Sequence, residues 1–187
     1  MGMELVYIVL VILCLISAIN FKLTLNLLKI IRDSSSTIDE ISPVHIGEKV
    51  PDIKGRRISS NDYEGLNITG APSVLLFVSS QCPKCQEKIP QIEYLHPLMR
   101  ELGICISIIS KESTVIMKSF LNNSILLDNV WFVSNKNYKK LNPTFASPFY
   151  LFISHEAKLQ AYGFIGDSDW ESFAEQVKGG RDSEAVA

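Results

Sequence analysis

Cysteine, histidine and an excess of charge of either sign are all scarce in this chain, and each scarcity excludes a class of protein. Only four of the 187 residues are cysteine, too few for a scaffold built mainly from disulfide bonds. The three histidines form no H-x-x-x-H pair that would complete a zinc site. Eighteen basic residues stand against twenty acidic ones, so the chain has no large basic excess to neutralise a phosphate backbone, and we expect no nucleic-acid partner.

An uncharged apolar run occupies residues 5–21. Its length is at the short edge of the roughly 17–25 residues that span a bilayer core. A cleavable signal peptide would need a basic start and a small-residue cleavage site, whereas the charge before this run is Glu4. A cleaved signal and a buried core helix are the alternatives. We predict a retained transmembrane anchor over residues 1–22, which contacts membrane lipid through residues 5–21.

The rest of the chain divides by composition into three parts. Residues 23–47 predict a juxtamembrane spacer, because a polar linker follows a short helical pattern. Residues 48–178 predict one folded domain, and the polar residues 179–187 predict a disordered tail.

Strand-like and helix-like segments alternate within the predicted domain. Apolar or alternating runs predict strands at residues 73–80, 103–110, 129–134, 148–154 and 159–166. Helical spacing predicts helices at residues 83–101, 111–123 and 168–179, with Pro83 in the first turn of the first helix and Ser168 as the N-cap of the last. This order predicts an α/β fold with a mixed central sheet flanked by helices.

Cys82 and Cys85 are the two cysteines whose spacing lets them act together. Cys82 falls where a strand ends and a helix begins, so free backbone amides and the helix dipole stabilise its thiolate, with Lys84 close by. Such surroundings lower a cysteine pKa from ~8.5 into a range of roughly 3.5–7.5. A metal site and an accidental pair are the alternatives. Cys14 and Cys105 lie in apolar stretches, and we expect both to be buried.

The sequence resembles the thioredoxin fold in the order of its strand, C-x-x-C motif and helix, with Pro90 five residues after the second cysteine and Pro148 opening a hairpin. The resemblance implies a thiol–disulfide oxidoreductase with no cofactor and no bound metal. Cys82 would be the attacking nucleophile and Cys85 the resolving thiol. Pro148 would follow a cis peptide bond and hold backbone against the incoming disulfide, and the pair Pro83-Lys84 would tune the redox properties.

A longer similarity begins before the cysteines, in "GEKVPDIKGRRISSNDYEGLNITGAPSVLLFVSSQCPKC", and returns in "SPFYLFIS". It resembles membrane-anchored thioredoxins of the TlpA type and is most similar to the accessory proteins of methylamine utilisation, the MauD family. This resemblance implies a cysteine-containing exported client, whose disulfides are formed, reduced or shuffled during maturation, and a membrane-bound electron donor or acceptor. A reductase of cytochrome maturation is the close alternative.

The sequence departs from cytosolic thioredoxins at positions that matter for chemistry. Leu76 stands where those proteins carry a buried aspartate, so water or another group must accept the proton of Cys85. The residues between the cysteines are Pro-Lys instead of Gly-Pro, which alters the redox poise. Ser79 stands three residues before Cys82, as a hydroxyl residue does in peroxiredoxins. A peroxidase and a non-catalytic assembly factor therefore remain alternatives.

Two arguments disagree about the side of the membrane on which the domain lies. Lys22, Lys29 and Arg32 come after the apolar run, and the positive-inside rule therefore places the domain in the cytoplasm. Disulfides persist outside the cytoplasm, and the resemblance to exported thioredoxins agrees with that location. We expect a single-pass protein of the cell membrane with its domain on the extracytoplasmic side.

Overall fold

The computed structural model describes residues 10, 12–26, 44–60, 62–66 and 68–184, and for residues 181–184 the backbone alone. The chain divides into two compact units, Met1–Glu40 and Ile41–Ala187. In the first unit, residues 12–26 form helix α1, on which Cys14 is exposed and not buried as expected. No helix in the described part of the chain is both long enough and apolar enough to span a membrane.

The remaining residues of the predicted anchor, spacer and tail lie outside the described residues. These are residues 1–9 and 11 of the anchor, 27–43 of the spacer and 185–187 of the tail.

Seven strands of the second unit form one mixed sheet in the order β2-β1-β5-β4-β3-β6-β7. The strands are β1 (Lys54–Arg57), β2 (Tyr63–Gly65), β3 (Ser73–Phe77), β4 (Cys105–Ser110), β5 (Val130–Val133), β6 (Phe149–Ile153) and β7 (Leu159–Phe164). The three central strands β3, β4 and β5 run parallel, while the strands on both sides of them pair antiparallel. The mixed sheet matches the predicted fold class.

Four helices accompany the sheet: α2 (Pro83–Glu101), α3 (Thr114–Phe120), α4 (Asn135–Leu141) and α5 (Ser168–Glu184). Side chains of α2, α3 and α5 share one core with one face of the sheet, and those of α4 share a second core with the opposite face. All five residues of β3 are buried, because alternate side chains enter the two cores. This burial explains the continuous apolar run by which the strand is recognised in the sequence.

The domain begins earlier in the chain than the predicted boundary at residue 48. Val44 is only 7% exposed and packs into the core on the α4 side of the sheet. The Gly47 amide donates to the Leu159 carbonyl at 2.7 Å, and the Leu159 amide donates to the Glu48 carbonyl at 2.9 Å. Residues 44–47 therefore belong to the folded domain and not to a spacer.

Both ends of the last helix differ from the sequence prediction. The N-cap is Asp167 and not Ser168, since a carboxylate oxygen of Asp167 accepts the Trp170 amide at 2.8 Å. At its other end α5 continues to Glu184, so the prediction of a disordered tail from residue 179 is wrong for residues 179–184. Gly180 lies close against the Leu102 side chain, a contact that supports the helix beyond its predicted end.

Cys105 is exposed, contrary to the expected burial. It is the first residue of β4, which begins two residues later than the predicted strand at 103–110. The strand residues further along, Ile108 and Ile109, are the ones that are completely covered. The apolar residues around Cys105 in the sequence predicted its burial, but Cys105 lies at the exposed amino-terminal end of the strand.

Candidate active site

The turn between β3 and α2 places Cys82 at the N-terminus of a helix, as predicted. Cys82 is the N-cap residue of α2 and has extended backbone geometry, and Pro83 occupies the first helical position. Proline suits that position because it has no amide hydrogen to leave unpaired. The Cys82 amide donates to the Ser79 carbonyl at 3.1 Å, and the Cys85 amide donates to the Cys82 carbonyl at 3.0 Å. The two cysteines thus lie one helical turn apart.

Both cysteines are free thiols and differ sharply in their exposure. Cys85 is completely buried in the core on the α2 side of the sheet, whereas Cys82 is only partly buried. The Cys82 sulfur lies 3.6 Å from the carbonyl oxygen of Ser147, toward which its thiol is directed. Lys84 is exposed to solvent. A reactant arriving from solvent therefore meets the sulfur of Cys82 before that of Cys85.

The surroundings of Cys82 favour its thiolate. Partial burial is the largest single influence and opposes ionisation, but hydrogen bonds outweigh it and lower the pKa of Cys82 below its ordinary value. The groups responsible are the Cys85 side chain and backbone, Ser147 and the Lys84 backbone, while the Cys82 side chain itself makes no capping hydrogen bond to the helix. The lowered pKa agrees with the reasoning from helix position that singled out this residue.

Cys85 is affected in the opposite direction. Burial, together with a hydrogen bond to Cys82 and the charge of that neighbour, raises the pKa of Cys85 to about 12. It therefore stays protonated at neutral pH, whereas the lowered pKa of Cys82 favours the thiolate of that residue. One exposed nucleophile beside one protected proton donor is the arrangement that stepwise thiol–disulfide exchange requires.

The loop before β6 brings Pro148 to the same site. The peptide bond between Ser147 and Pro148 is cis, which confirms the prediction for this bond. The loop is shaped by Asn142, which is completely buried; its side chain donates to the Ala146 carbonyl at 2.8 Å and accepts the Ala146 amide at 2.9 Å. Asn142 was not identified from the sequence, where a single asparagine before a proline signals only a turn.

Glu112 is a second residue near the site that the sequence analysis missed. Its carboxylate accepts the Ser79 hydroxyl at 2.8 Å and the Ser80 amide at 3.1 Å, and so contacts the turn that leads into Cys82. A cavity of about 120 Å³ is lined by Glu112, Ser79, Tyr138 and Ser147. Only the position of Glu112 in the sequence could have identified it as a site residue. Glu112 follows β4, and the carboxyl ends of the parallel strands β3 and β4 lie at the same edge of the sheet.

The structure also gives the surroundings of Leu76 and Pro90, two residues singled out in the sequence. Leu76 is completely buried, so the site of the usual aspartate holds an apolar side chain. Pro90 lies inside α2, as does Pro97. Among the described residues, no group of three His, Cys, Asp or Glu side chains is arranged to bind a metal ion.

A family model with the description AhpC/TSA family matches residues 46–160, which is more than half of the chain. The chain belongs to this family. No curated protein sequence matches it.

Solved structures confirm a thioredoxin-like fold for this member of the AhpC/TSA family. A protein disulfide isomerase from Bacteroides thetaiotaomicron is 17% identical, with a TM-score of 0.63, and 74% of this chain aligns with 91% of that one. The thiol:disulfide interchange protein DsbE of Chlorobium tepidum is 20% identical, with a TM-score of 0.61 and coverages of 73% and 97%. AhpC of Enterococcus faecalis is 13% identical, with a TM-score of 0.54 and coverages of 76% and 95%.

Proposed function

We propose that this AhpC/TSA family member is a thiol–disulfide oxidoreductase whose catalytic residues are Cys82, Cys85 and Pro148. The observation that carries the proposal is that the two thiols differ in exposure and have pKa values shifted in opposite directions. Cys82 is partly exposed at a helix N-terminus with a lowered pKa, and Cys85 is buried one turn away with its pKa raised to about 12. If the two cysteines were neighbours only by chance, there would be no reason for their pKa values to shift in opposite directions.

The exchange proceeds in two steps that conserve electrons. The Cys82 thiolate attacks one sulfur of a client disulfide, so that a mixed disulfide forms and a client thiolate leaves. Cys85 then gives its proton to water and attacks the Cys82 sulfur, which releases the second client thiolate. The client gains two electrons, and a Cys82–Cys85 disulfide remains; oxidation of a client dithiol is the same sequence in reverse.

The client is, in this proposal, a cysteine-containing exported protein that requires disulfide exchange during its maturation. The resemblance to MauD-type accessory proteins supports this role, and a cytochrome-maturation reductase is the alternative of the same chemical class. A membrane-bound electron donor or acceptor resets the dithiol. Residues 5–21 anchor the protein in lipid, and the domain lies on the extracytoplasmic side. Protease added to spheroplasts would then digest the domain, whereas digestion only after lysis would place it in the cytoplasm.

The Cys85→Ser variant tests the exchange mechanism. It retains the attacking thiol but removes the thiol that resolves the mixed disulfide, so the client remains bound through Cys82. We expect affinity capture under non-reducing conditions to yield an adduct that a reducing agent releases. Cys14 and Cys105 are both exposed and are replaced by serine in the background, so that they form no adducts of their own.

The control for this capture is the Cys82→Ser, Cys85→Ser double variant in the same background, which has no thiol with which to trap a client. Adducts of equal amount in both proteins, or in neither, would contradict the proposed exchange.

A peroxidase is the second candidate, supported by the family assignment and by the position of Ser79. Against it, the Ser79 hydroxyl donates to Glu112 at 2.8 Å and is thereby engaged away from the cysteines. Thiol-dependent consumption of hydrogen peroxide that survives in Cys85→Ser would favour the peroxidase, because that reaction needs the first cysteine alone to attack.

A further inference from the structure

The turn that carries Cys82 is held by a side chain from a different part of the chain. Glu112 binds it at two points, since one carboxylate oxygen accepts the Ser79 hydroxyl at 2.8 Å and the Ser80 amide at 3.1 Å. Its second oxygen lies 3.4 Å from the Ser80 nitrogen. A charged acceptor makes such hydrogen bonds stronger than a neutral one. The turn after β3 is thus fastened to the loop after β4.

Glu112 and Ser79, the two residues joined by this contact, are each held in place by further hydrogen bonds. On the Glu112 side, its own amide donates to the hydroxyl of Ser110, a residue only 1% exposed at the end of β4. On the other side, the Ser79 carbonyl accepts the Cys82 amide at 3.1 Å, and the Ser79 hydroxyl accepts the Gln81 amide at 3.3 Å. A continuous set of hydrogen bonds therefore leads from a buried strand end to the backbone of Cys82.

We propose that Glu112 is a positioning residue for thiol exchange, and that its carboxylate fixes the turn of residues 79–81 so that Cys82 stays at the N-terminus of α2. This inference rests on the proposed function. Glu112 does not touch the reacting sulfur; it acts through Ser79 and Ser80. Sequence motifs centred on C-x-x-C do not include it, because it lies 27 residues after Cys85 in the chain (112 − 85).

A merely electrostatic effect of Glu112 would have the opposite sign. A nearby negative charge disfavours a thiolate, so removing that charge alone would lower the pKa of Cys82. Loss of the hydrogen bonds would instead let Cys82 move away from the positive end of the α2 dipole, which would raise the pKa of its thiol. Charged groups on this side include Lys84, Lys111 and Lys139, and the ammonium groups of Lys111 and Lys139 lie 3.7 Å and 5.4 Å from the centre of the Phe145 ring. All three lysines are retained in every variant used to test the proposal.

Two substitutions of Glu112 separate these effects. Glu112→Gln removes the charge but keeps an oxygen that can accept from Ser79 and Ser80, whereas Glu112→Ala removes both. The pH dependence of Cys82 alkylation is measured in a background in which Cys14 and Cys105 are serine. We expect Glu112→Ala to raise the pKa of Cys82 by up to about one unit, which corresponds to about a tenfold loss of thiolate below the pKa. Glu112→Gln should leave that pKa unchanged or lower it.

The redox equilibrium with glutathione gives an independent readout. A less stable thiolate makes the reduced form less favourable, so Glu112→Ala should shift the equilibrium toward the Cys82–Cys85 disulfide, and Glu112→Gln should not. Glu101→Ala, at the distant end of α2, is the matched control and should match the wild type in both measurements. If Glu112→Ala fails to fold, Ser79→Ala takes its place, because it removes the hydroxyl contact and leaves the carboxylate.

An unchanged Cys82 pKa in Glu112→Ala, or equal shifts in the alanine and glutamine variants, would overturn the positioning role. If Ser79→Ala is the variant measured, an unchanged pKa overturns it as well. A different result would contradict the proposed function itself. If wild-type Cys82 proved no more acidic than an ordinary thiol, both the function and the positioning role would be overturned.

Discussion

At the scale of single residues, the chemistry of the site depends on the unequal surroundings of two identical thiols. Hydrogen bonds at the start of α2 lower the pKa of Cys82 despite its partial burial, and burial raises the pKa of Cys85 to about 12. A group with a lowered pKa keeps its charge as the pH falls past the ordinary value. Cys82 therefore remains a nucleophile under conditions where Cys85 is fully protonated.

We expect alkylation to distinguish the two thiols most clearly at mildly acidic pH. With Cys14 and Cys105 replaced by serine, iodoacetamide should label Cys82 first, and its advantage should grow by roughly tenfold for each unit that separates the two pKa values. The label is located by peptide mass spectrometry. Denatured protein, in which both environments are lost, is the control and should label both residues alike. Preferential labelling of Cys85 in the folded protein would reverse the assigned roles.

The sequence was informative about residues whose neighbours are close in the chain. The helix-end position of Cys82 follows from an apolar strand, a C-x-x-C motif and a proline at the first helical position. Glu112 and Asn142 could not be found in this way, because their roles depend on contacts made by folding. Glu112 meets a turn that precedes it by about thirty residues, and Asn142 is recognisable only from its two bonds to Ala146.

At the scale of elements, the strands predicted with least difficulty were those buried on both faces. β3 and β4 form continuous apolar runs, whereas β1 and β2 are short, largely exposed and polar, and were not predicted. Their pairing is decided by tertiary contacts, for instance between Gly55 of β1 and Val133 of β5. The ends of elements were also harder to predict than the elements themselves. For α5, the sequence predicted the helix but placed its N-cap at Ser168 instead of Asp167.

Asp167 connects three elements at the start of α5. One carboxylate oxygen accepts the Trp170 amide at 2.8 Å and the hydroxyl of the buried Tyr150 at 3.1 Å. The other accepts the Phe164 amide at 2.9 Å, at the end of β7. The burial of Tyr150 and the nearby charge of Asp167 raise the pKa of that phenol. Tyr150 thus stays protonated and able to donate to the cap.

We expect Asp167→Ala to lower the free energy of unfolding by about 2–3 kcal/mol, because it removes a helix cap and leaves a buried hydroxyl unpaired. Ser168→Ala, one residue further on, should change it by less than about 0.5 kcal/mol. Denaturant unfolding followed by circular dichroism measures both. A larger loss in Ser168→Ala than in Asp167→Ala would restore the cap to Ser168.

At the scale of the whole molecule, the residues of the proposed thiol exchange belong to the second unit, Ile41–Ala187. Cys82, Cys85, the cis-proline Pro148 and Glu112 all lie within it. Its two cores, one on each face of the sheet, contain residues from Val44 to Val177. We therefore expect residues 41–187 to fold and to exchange disulfides when expressed without the preceding segment, as the proposal that residues 1–22 serve as a tether requires.

The start of this unit provides the last prediction. A fragment of residues 41–187 retains Val44 and the bond from the Gly47 amide to the Leu159 carbonyl, whereas a fragment of residues 48–187 loses both. The lost apolar burial and hydrogen bond should lower the free energy of unfolding by roughly 2–3 kcal/mol. Val44→Ala in the longer fragment isolates the side-chain contribution and should account for about half of the loss. Equal denaturation midpoints for the two fragments would instead support a domain boundary at residue 48, because residues 44–47 would then contribute nothing to the fold.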